Sequence, residues 1–309
     1  QGEVFWQPGQ LGWEGQRRDR MAERRAAQLA AAAELAADQP LLLSSGPDRP
    51  GVERWVQRQL GQEGERLQRL RERLWRDIPW TRRDRVLLLG MRSMIWALDP
   101  LRASPEGGVT VLCENDADRS RLDAQMDLLE PEHQPQLLTG NLDALPASQA
   151  FDWIGGRLAS ADLQGQNWMA LVEAINQHAE PTTGLRLLIS RAELGPAGAL
   201  QQISGATERF NALVAQEQRW LELQQRPEEL LANTGWRLRS EDWLEHLTLP
   251  GGPELAERWL AEGSPYRQAM GEIKTEVLTE LRRLLNGLGH GGLRLPMRHQ
   301  LITGERGMP

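Results

Sequence analysis

The stretch Arg85-Val86-Leu87-Leu88-Leu89-Gly90-Met91-Arg92-Ser93-Met94 decides the fold. Four consecutive apolar residues end on a glycine, the mark of a short strand covered on both faces. The pattern recurs at 109–113 before Glu114, at 136–139 before Gly140, at 151–154 before Gly155-Gly156, and at 185–189. Helix-period segments separate these runs. Residues 120–130 carry Leu122, Met126 and Leu129 and stop at Pro131, and 168–179 carry Trp168, Leu171, Val172 and Ile175. Alternation of this kind predicts an α/β fold, a mostly parallel sheet with helices on both faces. Beyond residue 190 the chain reads as helical over 206–225 and 253–286, with late strands at 236–239 and 299–303.

Working outward toward the N-terminus, residues 52–76 place Val52, Trp55, Val56, Leu60, Leu67, Leu70 and Leu74 at helical spacing, and Pro79 ends the element. Residues 40–51 hold three prolines with Ser44, Ser45 and Gly46, the composition of a linker. Residues 14–37, with the run Ala30–Ala33, read as another helix stopped at Gln39-Pro40. The expected organisation is therefore a helical segment over 1–39, a linker over 40–51 and one α/β domain over 52–309.

In open α/β sheets, ligands bind beyond the carboxyl ends of the strands, near the switch point. Gly90 opens the turn after the first strand there. A dinucleotide loop, G-x-G-x-x-G, needs glycines where this chain has Arg92 and Ile95, so a dinucleotide is not expected. Arg92 fits a ligand carboxylate, or else marks a loop that closes on nothing. Glu114, ending the second strand, fits a ribose diol, or is an acid opening the turn Asn115-Asp116. Asn141 and Asp143 sit where adenine contacts arise, or are turn residues bonded to their own backbone. After the fourth strand, Gly155 to Asp162 reads as a loop, offering Arg157, Ser160 and Asp162 to a substrate. Asp162 is the candidate general base there, or a helix cap.

In order and spacing, Arg85–Gly90, Val111–Glu114, Gly140–Pro146, Phe151–Ile154 and Gly184–Ser190 resemble the class I S-adenosylmethionine-dependent methyltransferases. The resemblance implies a Rossmann-like, seven-stranded sheet with 234–236 and 299–303 in a final antiparallel hairpin. It also implies S-adenosylmethionine as cofactor, with Gly90, Arg92, Glu114, Asn141, Asp143 and Arg157 around it. This sequence departs from the pattern at the second and third loop glycines and at Asn141, where an acid is common. It also lacks an Asn-Pro-Pro-Tyr motif. The expectation is a methyltransferase-like domain that binds its cofactor weakly or has lost the reaction; the alternatives are an active methyltransferase or a protein-interaction domain. Separately, Gly2–Pro8, Gly12-Trp13-Glu14 and Arg17–Arg24 resemble the end of the RarA family, AAA+ ATPases of replication and recombination. That implies a domain appended to such an ATPase, with DNA or replication and repair proteins as partners. Gln1 in place of Met agrees with a piece of a longer chain, or with a processed one. No G-x-x-x-x-G-K-[ST] occurs, so an ATP site lies elsewhere.

Composition narrows the rest. A net charge of −7 argues against non-specific nucleic-acid binding by the whole surface. The basic stretch Arg66–Arg85, with Trp75 and Trp80 nearby, is either a backbone-binding patch or a solvated helix face with pairs such as Glu65–Arg69. The single cysteine, Cys113, excludes an intrachain disulfide and reads as a core thiol; the cytoplasm is the expected compartment. Of 12 tryptophans, Trp96, Trp153 and Trp168 fall near the expected cofactor edge, as core or as a stacking wall. The five histidines show no metal-binding spacing, and no apolar run approaches membrane-spanning length.

Overall fold

The computed structural model describes residues 64–126, 134–140, 145, 149–159, 165–204, 209–222, 229, 231 and 234–306. The helix expected at 14–37, the linker, the opening of the helix expected from 52, and every residue resembling the ATPases lie outside this set.

Seven strands form one sheet: β1 (Val86–Leu89), β2 (Val109–Cys113), β3 (Gln136–Thr139), β4 (Phe151–Ala159), β5 (Ala179–Ala192), β6 (Trp236–Leu249) and β7 (Leu293–Arg306). Their order is β3-β2-β1-β4-β5-β7-β6. β1 runs parallel to β2 and β4, and β2 to β3. β7 runs antiparallel to β5 and β6. This is the Rossmann-like α/β architecture expected, with the late hairpin in place. The chain divides into two compact units, 1–156 and 157–309, with β4 running through the boundary.

In the first unit every residue of β1 and β2 is buried. That is why neither shows a polar alternation: both faces are covered. α1 (64–74) buries Leu67, Leu70 and Leu74 completely, the i, i+3, i+7 stripe of one helix face. After Gly90, a 3-10 turn over Met94–Ala97 leads into α2 (Leu98–Ala103). α3 (Asp116–Met126) follows β2; the side chain of Asn115 accepts from Asp118 N at 2.9 Å, satisfying a donor of its first turn. Gly156 lies opposite Leu89 in the β1–β4 register, and a Cβ there would stand 2.0 Å from the Leu89 carbonyl oxygen. Only glycine lets the strands close at this position.

The second unit holds α4 (Gly165–Gln177), α5 (Pro196–Ser204), α6 (Asn211–Glu222), α7 (Pro253–Leu260), α8 (Pro265–Met270) and α9 (Thr275–Gly287). Leu200, Phe210, Leu255, Met270, Leu281 and Leu285 share one apolar cluster. The single helix expected over 253–286 is three helices. Gly263 and Gly271 take left-handed conformations that interrupt it (φ 82° and 61°), and Ser264 caps the piece opened by Pro265. The last three strands are longer than expected. The polar run Ser240-Glu241-Asp242, beyond the strand expected at 236–239, pairs with Ile302, Leu301 and Gln300 inside β6. Pro296 lies within β7 but one residue past the β5 ladder, which ends at the pair Ala192–Met297, so its missing N–H interrupts no ladder bond to β5.

Candidate functional site

The parallel registers set the site. Leu89 pairs with Leu112 and Cys113 with Thr139, so the chain leaves β1, β2 and β3 side by side at Gly90, Glu114 and Gly140. At ordinary strand spacing the three exits span about 10 Å. Gly90 (φ 62°) and Gly140 (φ 89°) are both left-handed. Gly140 N–H donates to the Cys113 carbonyl at 3.0 Å, which ties the second and third exits together.

The turn after Gly90 differs from a glycine-rich one in where its side chains go. Met91, Ser93, Met94, Ile95 and Trp96 are all buried, turned into the unit. Ser93 Oγ accepts from Ile95 N–H at 3.4 Å, and Met94 N–H donates to Gln125 Oε1 of α3 at 2.9 Å. Gln125 had no signal in the sequence; only the fold brings α3 against this turn. Arg92 takes another path. Its Nη2 lies 3.3 Å from Glu114 Oε2, with side-chain exposures of 12% and 46%. Two residues expected to face a cofactor therefore face each other.

The other expected site residues fall as follows. Asn141, Asp143 and Asp162 lie outside the described residues. Arg157 is buried, and it lies in β4 rather than in a loop. The loop expected from Gly155 is strand as far as Ala159, and Gly156 serves close packing against β1 and not a turn. Trp96 and Trp168 are fully buried core residues. Trp153 pairs with Val86, the first residue of β1, so it sits at the end of β1 remote from Gly90, about 13 Å along the strand. It packs at a tilt against Trp80 (centroids 5.8 Å, planes 57° apart), which packs in the same way against Trp75 (5.7 Å, 56°). Trp75 Nε1 donates to the Trp96 carbonyl at 2.9 Å, anchoring that ladder. Cys113 is buried; desolvation, then the nearby negative charge of Asp118, pushes its thiol up to about 11. It is a core thiol.

Much of the basic stretch Arg66–Arg85 is paired. Arg71 meets Asp99 at 3.1 Å, Arg82 and Arg83 share Glu106 at 2.7 and 3.4 Å, and Arg85 meets Asp152 at 3.8 Å. The hydrogen bond from Arg82, then that from Arg83, holds the Glu106 carboxyl below its ordinary range. The acids come from later in the chain, which is why the stretch looks more basic in sequence than it is in the fold.

Two polar clusters of the second unit were not visible in the sequence. Cross-strand register sets Ser190 opposite His299 and His299 opposite Trp243. Ser190 Oγ and His299 Nδ1 are 2.9 Å apart, and His299 Nε2 is 3.6 Å from Glu245 Oε2. The second cluster centres on Glu217, 1% exposed. It accepts from Ala197 N–H and Gly198 N–H of α5, at 2.8 and 2.9 Å, and from Tyr266 OH at 2.5 Å.

The sheet keeps the order β3-β2-β1-β4-β5-β7-β6 with β7 antiparallel between β5 and β6, and the chain leaves β1 and β2 at Gly90 and Glu114. This is the fold of the class I methyltransferases. No protein-family profile matches the chain, and no curated protein matches it in sequence. Among solved structures it resembles geranyl diphosphate C-methyltransferase from Streptomyces coelicolor, with 11% identity over 92% of this chain and 97% of that one and a TM-score of 0.47. It also resembles the YcgJ protein from Bacillus subtilis (12%, 78% and 100%, 0.47). A third is precorrin-6y C5,15-methyltransferase from Geobacter metallireducens (10%, 76% and 86%, 0.41). These superpositions are partial, and it is the strand order of the chain itself that defines its fold.

Proposed function

We propose that the chain is an S-adenosylmethionine-dependent methyltransferase whose cofactor lies on the carboxyl ends of β1, β2 and β3. One observation carries the reading: a left-handed Gly90 and a half-exposed Glu114 carboxylate leave adjacent parallel strands in register. An ionised carboxylate is an acceptor with two oxygens, which suits the paired hydroxyls of a ribose. Gly90 brings backbone close without a Cβ, and the buried Met91 and Met94 leave the outer side of the turn unobstructed by their side chains. When bound, the cofactor supplies a methyl group activated by a sulfonium. The chain's part is to hold and orient it, since an in-line displacement depends on proximity and alignment. Asn141 and Asp143 are proposed for the adenine, Arg157 for the cofactor's surroundings and Asp162 for acceptor deprotonation.

A second reading, a module that binds the cofactor weakly without transfer, is favoured by the Arg92–Glu114 pair and by Gln125 occupying the Met94 N–H. The resemblance of residues 2–24 supports a domain carried on a replication-associated AAA+ ATPase, with DNA or replication partners met through it and a cytoplasmic setting. Among the described residues no helix is long and apolar enough to cross a membrane.

Calorimetry with S-adenosylmethionine and S-adenosylhomocysteine tests the main reading. Micromolar binding is expected, weakened in Glu114→Ala by about 1.5–3 kcal/mol, the worth of a hydrogen bond to a charged group. Absence of heat at millimolar ligand would overturn it. Binding without incorporation of labelled methyl into any offered acceptor class would favour the second reading.

A further inference from the structure

We propose that the outer edge of β6 pairs antiparallel with β6 of a second copy of this chain, joining the two sheets across a two-fold axis at Ser240. β6 is the last strand of the order, and no strand lies beyond it among the described residues. It runs for 14 residues, Trp236–Leu249. An edge of that length offers another strand a row of backbone donors and acceptors. From Arg239 to Asp242 every side chain is exposed, so this stretch is covered on neither face among the described residues. Further along, the large apolar side chain of Leu244 is 51% exposed.

Charges scattered along an edge strand keep other strands away. Those of β6 are sorted by sign: Arg237 and Arg239 come first, and Glu241, Asp242 and Glu245 follow. Arg237, Arg239, Glu241 and Glu245 all lie at odd positions of one strand, hence on one face of the sheet. Two copies laid parallel and in register set like charge on like. Laid antiparallel, they set the basic half of each against the acidic half of the other, and this complementarity selects a second copy as the occupant. With Ser240 on the axis, Arg239 falls directly opposite Glu241 of the second copy, twice by symmetry. Arg237 falls opposite Trp243, with Glu241 and Glu245 at its diagonals, and Leu244 comes beside Trp236 and Leu238. Within its own chain Arg237 meets Glu305 of β7 at 4.0 Å, but these side chains are 77% and 83% exposed, so that pair gives way at little cost. The contact uses the same edge of both copies and closes at two.

Sedimentation equilibrium on the full chain at low ionic strength, where exposed charges are least screened, tests the pairing. A strand-edge contact is small, so a monomer–dimer equilibrium with a dissociation constant on the order of 10–100 μM is expected, read over roughly 1–500 μM protein. Arg239→Glu alone, or Glu241→Arg alone, puts two like-charge pairs in place of two opposite ones and weakens association about tenfold or more. Arg239→Glu combined with Glu241→Arg in one chain restores it to within about threefold of the wild type. An equimolar mixture of the two single variants associates more tightly than either does alone, because one then carries two acids where the other carries two arginines. A wild-type chain that stays monomeric over the whole range overturns the proposal. So does a dimer that the single reversals leave unchanged, or one that neither the double reversal nor the mixture restores.

Discussion

Removing the Glu217 carboxylate is a perturbation whose cost can be worked from the structure. Glu217 of α6 reaches the first turn of α5, whose backbone donors have no partner within their own helix. It satisfies Ala197 N–H and Gly198 N–H and takes the Tyr266 hydroxyl as well, all within a site that excludes water. Glu217→Ala strands three buried donors at about 1–3 kcal/mol each. Two effects offset this sum. The carboxylate is itself uncomfortable, since desolvation outweighs the bonds from Tyr266, Ala197 and Gly198 and raises its pKa. Water also enters the space left behind. A net loss of about 3 kcal/mol at neutral pH is therefore expected, read as a fall in the urea midpoint of the circular-dichroism transition with its slope unchanged. A loss below about 1 kcal/mol would refute the reasoning. The glycine beside it provides an independent arm. A Cβ on Gly195 would stand 2.3 Å from Glu217 Cδ, so Gly195→Ala evicts the carboxylate in the wild type and costs much less in Glu217→Ala. The pH dependence follows from the raised pKa. This group's contribution is full below the ordinary glutamate value of 4.5 and is lost as pH rises through the folded value. Glu217→Gln flattens that part of the stability profile.

Two further outcomes are expected. Gly156→Ala drives a methyl into the Leu89 carbonyl and parts β1 from β4 next to the site; it costs about 3 kcal/mol or more in the same unfolding assay, and a smaller cost than about 1 kcal/mol contradicts the close approach. Native Cys113, with its thiol raised from 9.0 to about 11, carries roughly a hundredfold less thiolate at pH 8 and alkylates correspondingly slowly by mass spectrometry, reacting fast only after denaturation. Rapid native labelling would show that the thiol is not where the fold puts it.

The sheet was legible where burial on both faces writes itself into a continuous apolar run. Val86–Leu89 and Val109–Cys113 are such runs, and their boundaries agree with the strands. Legibility failed where the residue type is chosen by a distant neighbour. Gly155-Gly156 reads as the start of a loop, but Gly156 answers to Leu89 on another strand. Ser240-Glu241-Asp242 lies past the expected end of its strand, but β6 ends the strand order, and charged side chains are tolerated on its exposed positions. At the candidate site, Gly90 and Glu114 were readable because each follows its strand directly. The contact of Arg92 with Glu114 was not, since it joins residues 22 positions apart and depends on the register of two strands. Gln125 and the Ser190–His299–Glu245 contact lie further still from any local signal.

In the proposed function the exits of β1 and β2 hold an adenosyl ligand. A crystal structure of the chain grown with saturating S-adenosylhomocysteine tests it most directly. Ligand density is expected over Gly90, with ribose hydroxyls on the Glu114 carboxylate. Density placed elsewhere, or an empty site with the Arg92–Glu114 pair intact at saturating ligand, would contradict it.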